Sequence, residues 1–368
     1  MKTAPDVRES KGSGMEIGLF TLGEYLSDPE TGTKISRRQR LEEIIAAAQL
    51  ADEAGLDVFG LGEHHRLDFV ASAVPVVLAA IAQKTKKIRL TSAVTVLSTA
   101  DPVREFENFA TLDLLSAGRA EMIAGRGAFI ESFPLFGYNL ADYDTLFPEK
   151  IDLLLKLNSA ERVTWQGTLR PALKDAEIAP RPEQKELPIW IGVGGSPRSV
   201  ADAAALGLPV VLGIIGGASA RFAPLLEYYR RTGLQKGQPQ DKLKTGVTSY
   251  LHVAKSSQEA LDEFYPYHAH YFEQLSKGRS QTMRLSRADF ERSTRLDGAF
   301  FVGSPQQIID KLLYQWKIFK HQRFLAQIGV GGMPFKMVAR TIELFASEVA
   351  PVVRRETAGK ATSPDGQD

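Results

Sequence analysis

No cysteine occurs among the 368 residues of this chain. Disulfides, thiolate metal sites and a cysteine nucleophile are excluded with it. An excess of one charge is also missing. Lys and Arg number 45 against 44 Asp and Glu, for a formal net charge of +1. No global field therefore draws the protein to nucleic acid or to an anionic membrane, and no basic tract adds a local one. No apolar run approaches the roughly 20 residues that span a bilayer. Met1 to Gly14 are polar and lack the apolar core of a signal peptide. These absences leave a soluble cytoplasmic protein as the expectation, with neither nucleic acid nor membrane as partner.

What is present is a regular alternation. Short apolar runs rich in β-branched residues fall at 17–21, 58–62, 88–96, 120–124, 189–193, 210–212, 247–253 and 325–330, as parallel strands buried on both faces require. Between them lie amphipathic stretches. In 38–54, Leu41, Ile44, Ile45, Ala48 and Ala51 recur at helical spacing before Gly55. Further helices are expected at 74–83, 104–115, 149–157, 198–206, 220–230, 257–275, 306–319 and 335–349. Eight strand–helix alternations predict an α/β fold of the TIM (β/α)8 type with insertions. An open doubly wound sheet is the competitor, but Thr21-Leu22-Gly23-Glu24 follows the first strand where that fold would carry G-x-G-x-x-G. The expected organisation is a disordered extension over 1–14, one barrel over 15–354 and a disordered tail over 355–368. A small hairpin is expected within 163–188, and a charged, aliphatic-poor stretch over 276–298 reads either as a lid or as a disordered surface loop.

In such a barrel the functional face is where strands end and helices begin. Glu63, His64 and His65 follow the second strand, a carboxylate and two imidazoles suited to acid–base work. Consecutive histidines on a strand point to opposite faces and no other histidine stands at a strand end, so no metal is expected. Gly125-Arg126-Gly127 follows the fourth strand. Its glycines allow close backbone approach and its arginine offers a planar fork for phosphate. Gly194-Gly195-Ser196-Pro197-Arg198-Ser199 follows the fifth, where bare backbone N–H groups and two hydroxyls meet the start of a helix that favours an anion. The same residues would also make an ordinary capped helix. Together the three segments suit a large phosphorylated cofactor laid across the barrel mouth.

Those segments, in order, are joined by Thr91-Ser92-Ala93-Val94-Thr95-Val96-Leu97, Asp101-Pro102-Val103-Arg104, Leu114-Leu115-Ser116-Ala117-Gly118-Arg119 and Val302-Gly303-Ser304-Pro305-Gln306-Gln307. With them the chain resembles the bacterial luciferase-like, flavin-dependent monooxygenases, from Met15 to about Arg354. The resemblance implies reduced FMN as cofactor or, in one branch, a deazaflavin. It implies a cis peptide at Ala93–Val94 beneath the flavin ring. Arg126, the backbone of Gly194 and Gly195, and the hydroxyls of Ser196 and Ser199 would hold the phosphate. Glu63 would lie near the ring, and His64 would be the catalytic histidine that assists proton transfer.

A small-molecule substrate, dioxygen, a separate flavin reductase and a homodimer are the partners so implied. A deazaflavin-dependent hydride-transfer enzyme, for whose longer anionic tail Arg66, Arg198 and Arg221 are available, and a non-catalytic flavin-binding protein are the alternatives. Phe20, Phe69, Phe129, Phe133, Tyr250, His252 and Met333 are the substrate-pocket candidates, each equally at home in a core.

Overall fold

Eight parallel strands close on themselves in the computed structural model, which describes residues 14–276 and 285–359. They are β1 (Glu16–Thr21), β2 (Val58–Leu61), β3 (Arg89–Ser92, resumed at Thr95–Val96), β4 (Ala120–Gly125), β5 (Ile189–Val193), β6 (Val210–Gly213), β7 (Thr245–Val253) and β8 (Arg323–Gln327). Each pairs in parallel with the next, and β8 returns to β1 with Gly18 opposite Leu325 and Phe20 opposite Gln327. The barrel helices are α1 (Arg37–Glu53), α2 (Val74–Ala82), α3 (Pro102–Ser116), α4 (Tyr143–Ser159), α5 (Pro197–Ala205), α6 (Ala223–Gln235), α7 (Pro305–Phe319) and α8 (Phe335–Leu344).

Local sequence sets the helix starts. The Ser36 hydroxyl accepts the Gln39 N–H at 3.1 Å to open α1. The Asp101 carboxylate takes the N–H groups of Val103 and Arg104 to open α3, with Pro102 in its first turn. Two apolar layers result. Ile17, Leu19, Phe59, Leu90 and Met122 point outward from the strands onto Ile44, Leu78, Phe106, Phe109 and Leu153 of the helices. Phe20, Val58, Ile123, Trp190, Val211 and Leu325 fill the barrel interior. Each such side chain contributes roughly 1.5–3 kcal/mol on burial.

The bottom of the barrel is closed by charge. Glu121 near the start of β4 is paired with Arg89 (2.9 Å) and with Arg323 at the start of β8. Arg323 also reaches Glu16 (2.8 Å) and lies over the Trp190 ring at 4.2 Å. Burial opposes ionisation of Glu121, but the two guanidinium groups outweigh it and hold the carboxyl below its usual range.

Several expected boundaries move. The run 88–96 is interrupted at Ala93–Val94, whose peptide bond is cis. The last strand starts two residues earlier, because Arg323 is buried as an ion-pair partner, and stops at Gln327 before the turn through Gly329 and Gly331. The hairpin expected within 163–188 is the antiparallel pair Arg162–Trp165 with Leu173–Glu177, which begins one residue earlier. Of the stretch expected to form a lid, 277–284 lies outside the described residues. The rest includes a helix, Arg287–Thr294, whose Phe290 is buried against Phe264 and His268. A strand not expected from sequence, Phe301–Gly303, extends β7. At the C-terminal end the helix Ala350–Thr357 runs past Arg355, where a tail was expected. Arg354 pairs with Asp57 at 2.8 Å, and the Thr357 hydroxyl accepts the Met15 N–H at 2.8 Å. Residues 1–13 and 360–368 of the expected extensions lie outside the described residues. Among the described residues no helix is long and apolar enough to cross a membrane.

Candidate functional site

A cavity of about 720 Å³ opens at the C-terminal ends of the strands and runs outward between α4 and α5. Its floor is the top layer of the barrel interior, where Phe20, Ile123, Val211 and Leu325 surround Ala93 and Val94. Its walls are the strand ends Gly125–Gly127 and Gly192–Gly194. Beyond them lie Tyr143, Phe147 and Ile151 of α4 with Ser199 and Ala203 of α5.

Absent side chains shape the floor. A Cβ at Gly125 or Gly192 would meet the Val94 side chain at 2.7 Å. Val94 therefore fits only because both neighbouring strands are bare at its level. Gly127 (φ +82) turns the chain away in the left-handed region that glycine alone adopts freely, and a Cβ there would meet Val96 at 2.8 Å.

Arg126 is held by the ring faces of Tyr143 and Phe147, 5.6 and 5.1 Å from its guanidinium carbon. It donates one hydrogen bond, to the Tyr143 carbonyl at 3.2 Å, and no carboxylate pairs with it among the described residues. A guanidinium carries five N–H donors, so most of its donor capacity is left for the cavity that it lines. Ser196, which lines the same cavity, occupies the N-cap of α5 in extended conformation, with Pro197 in the first turn. Ser36 and Asp101 bond the first N–H groups of their helices; the Ser196 side chain makes no such bond. A cationic fork, an uncommitted hydroxyl and a helix N-terminus thus share one wall, which is the donor set a phosphate takes.

Ala93, Val94, Arg126, Gly194, Ser196 and Ser199 all line this cavity. Gly195 (φ +109) joins Gly194 to Ser196. Glu63 and His64 are not among its lining residues. Glu63 accepts the Val96 N–H (2.9 Å) and bonds the His65 ring (2.8 Å), so it pins the end of β3 to β2. His64 stacks on Phe69 at 4.1 Å with Phe129 edge-on at 5.1 Å. Burial there lowers its pKa to about 4, only partly countered by Asp68, so the ring is neutral at ordinary pH. Among the described residues no group of three or more His, Asp and Glu is placed to hold a metal ion.

Of the aromatic candidates, Phe20 lines the cavity and Phe69 and Phe129 enclose His64. Phe133 is buried against Tyr143, and Met333 is also buried. His252 is a core residue bonded to Glu263 (2.8 Å) and Thr341 (3.0 Å). Sequence reasoning missed Tyr143, Phe147, Ile151 and Asp152, which sit on a helix whose apolar spacing reads as ordinary shell packing. Asp152 and Asp202 bring negative charge to the outer end of the cavity, partly offset by Lys156 (3.4 Å) and Arg198 (4.0 Å).

The luciferase-like monooxygenase model matches residues 15–317. The oxygenase component of the flavin-dependent trigonelline monooxygenase of Acinetobacter baylyi is 23% identical over 362 residues, covering 92% of this chain and 95% of that protein. Two solved structures share the fold. The FMN complex of the oxygenating constituent of 3,6-diketocamphane monooxygenase from Pseudomonas putida has TM-score 0.73 and 19% identity, over 92% of this chain and 98% of that one. An F420-dependent secondary alcohol dehydrogenase with an F420-acetone adduct has TM-score 0.69 and 17% identity, over 93% and 99%.

Proposed function

The chain belongs to the luciferase-like monooxygenase family, and on that footing we propose that it is an FMN-dependent monooxygenase. It oxidises a small organic molecule with dioxygen, on reduced flavin supplied by a separate reductase. The observation that carries this reading is the cavity that joins an apolar barrel floor to Arg126 and the free Ser196 hydroxyl at the start of α5. Arg126, the N–H groups around Gly195, Ser196 and Ser199 would hold the phosphate. The planar ring would lie over Ala93–Val94, between the bare ends of β4 and β5. Bound there, reduced flavin would supply the two electrons with which dioxygen gives one oxygen atom to the substrate and the other to water.

The chain's own residues do the rest. Phe20, Ile123, Val211 and Leu325 exclude water from the floor. His64, kept neutral by burial, carries one N–H donor and one acceptor nitrogen for proton transfer on the β2 side of the mouth. Glu63 keeps β2 and the end of β3 in register beneath it.

Two features bear on the choice of flavin. The fold is shared with an F420-dependent enzyme, which keeps a deazaflavin as the second reading. Asp152 and Asp202, however, stand at the outer end of the cavity, where a longer anionic tail would meet like charge. FMN, which ends at its phosphate, avoids them.

Arg126→Ala and Ser196→Ala are each expected to weaken reduced-FMN binding by roughly 1.5–3 kcal/mol, about 10- to 150-fold. Equilibrium titration under anaerobic conditions measures this, and unchanged affinity in both variants rejects the phosphate assignment. A second copy of the chain is the proposed cover for α2. All nine of its residues are apolar, yet Val76 is 70% exposed, and Leu114 and Leu115 of the neighbouring α3 are also exposed. Val76→Asp should then lower the sedimenting mass to that of one chain, whereas the same mass in wild type and variant removes this interface.

A further inference from the structure

Across the mouth from Arg126 lies a polar cluster that the flavin reading leaves unused. Glu24, in the turn after β1, is wholly buried, with 0% of its surface exposed. One carboxyl oxygen accepts from Gln327 Nε2 at 3.0 Å, and the other lies 3.5 Å from the Thr21 hydroxyl. No cation pairs with the carboxyl among the described residues. Arg40 of α1 is the nearest positive charge, but its guanidinium is used on the Glu24 carbonyl oxygen (2.8 Å) and on Glu43 (3.2 Å). Tyr250 of β7 and Tyr271 of the helix Ser257–Ser276 stand beside Glu24, and burial, aided by its charge, raises both phenols well above their usual range. Arg66 and Asp68, on the side facing Tyr271, neutralise each other through two hydrogen bonds.

This cluster is mechanically tied to the cavity and to His64. Phe20, Gln327 and Tyr250 stand abreast in the pairings of β1 with β8 and of β8 with β7, and Phe20 lines the cavity floor. The turn that holds Glu24 is pinned to the segment after His64. Tyr25 N–H donates to the Asp68 carbonyl at 2.7 Å, Val70 N–H donates to the Gly23 carbonyl at 2.9 Å, and Glu24 is bridged to Phe69, whose ring stacks on His64. Gln327 spends its NH2 on Glu24. That bond fixes the orientation of the Gln327 amide at the register of Phe20.

We propose that Glu24 is a second ionisable positioning residue of the mouth, acting on the cavity through Gln327. Protonated, it leaves the β1–β8 wall neutral. Ionised, it places a negative charge without an ion-pair partner just past β1, bonded to Gln327, which stands level with Phe20 of the cavity floor. Burial raises its pKa to about 7, against the opposing pull of its own backbone N–H, Arg40, Gln327 and Thr21, so the change falls within the working pH range. This inference rests on the flavin reading above.

The test uses reduced FMN as probe. Its dissociation constant is measured anaerobically from pH 5.5 to 9 for wild type and for Glu24→Gln. FMN titrates in this range as well, so the ratio of the two constants isolates Glu24. The expected result is a wild-type affinity that falls relative to the variant by several-fold, with a midpoint near pH 7. A ratio that is constant with pH overturns the proposal. Infrared spectroscopy of the flavin-free proteins follows the carboxyl itself. Glu105 is raised to about 7 as well, so the reading is the wild-type minus Glu24→Gln difference spectrum: a protonated-carboxyl band in it that disappears through pH 7 is expected, and no such difference band also overturns the proposal. If neither protein binds reduced FMN, the flavin reading has failed, and the infrared titration still decides the state of Glu24.

Discussion

Glu121 at the bottom of the barrel and Glu24 at its top are equally buried, yet they are held in opposite states. Glu121 meets Arg89 and Arg323, and their charges overcome the cost of burial, so its carboxyl is ionised. Glu24 meets an amide and a hydroxyl, which cannot supply that compensation, and its pKa climbs to about 7. Burial alone does not set the charge of a carboxylate; the partners do. In this barrel the compensated pair sits at the bottom, and the uncompensated group sits at the end where the strands open onto the cavity. That division follows the general separation of a barrel's stability face from its active face.

The largest effect should come from unbalancing the bottom. Arg323→Ala leaves Glu121 buried with only the partly exposed Arg89. It should cost roughly 3–5 kcal/mol, read from urea unfolding; a cost below about 1 kcal/mol would mean that the pair adds little and would blur the contrast with the top. Next comes Glu24→Gln. The folded carboxyl titrates at about 7 against 4.5 for the free side chain, so the folded state holds the proton more tightly. Its contribution is full below pH 4.5 and is lost as pH rises through 7. Over that span wild type should lose about 3 kcal/mol relative to the variant, and parallel stability curves for the two proteins would place the Glu24 pKa near its ordinary value. The smallest effect belongs to an exposed pair. Arg162 bonds Asp175 and Glu177 on the surface hairpin, and Arg162→Ala should leave Tm unchanged within error. A clear drop would show that exposure is a poor guide to the worth of charge pairs here.

The barrel was legible because its strands are short, aliphatic and evenly spaced, and because helix starts such as Asp101-Pro102 carry their own caps. The glycine-rich wall was legible for a similar reason, since Gly125, Gly127 and Gly194 to Ser199 stand next to one another in the chain. The other wall was not. Tyr143, Phe147 and Ile151 are spaced as any amphipathic helix would space them, and only the opening between α4 and α5 gives them a cavity to line. Glu24 is a lone acid in a turn, and its character comes from Gln327, Tyr250 and Tyr271, more than 200 positions away. Arg323 was hidden because a charged residue at a buried strand start makes sense only once Glu121 is opposite it. Local signals named the glycine-rich wall; the opposite wall depends on contacts between distant segments.

The central claim is that the cavity between Arg126 and the barrel floor takes FMN in preference to a longer-tailed flavin. Anaerobic titration of wild type and Arg126→Ala with reduced FMN and with reduced deazaflavin tests it most directly. The account predicts one tight reduced-FMN site per chain, weakened at least tenfold by the substitution, and weaker binding of the deazaflavin. Preferential binding of the deazaflavin, or reduced-FMN affinity indifferent to Arg126, would contradict it.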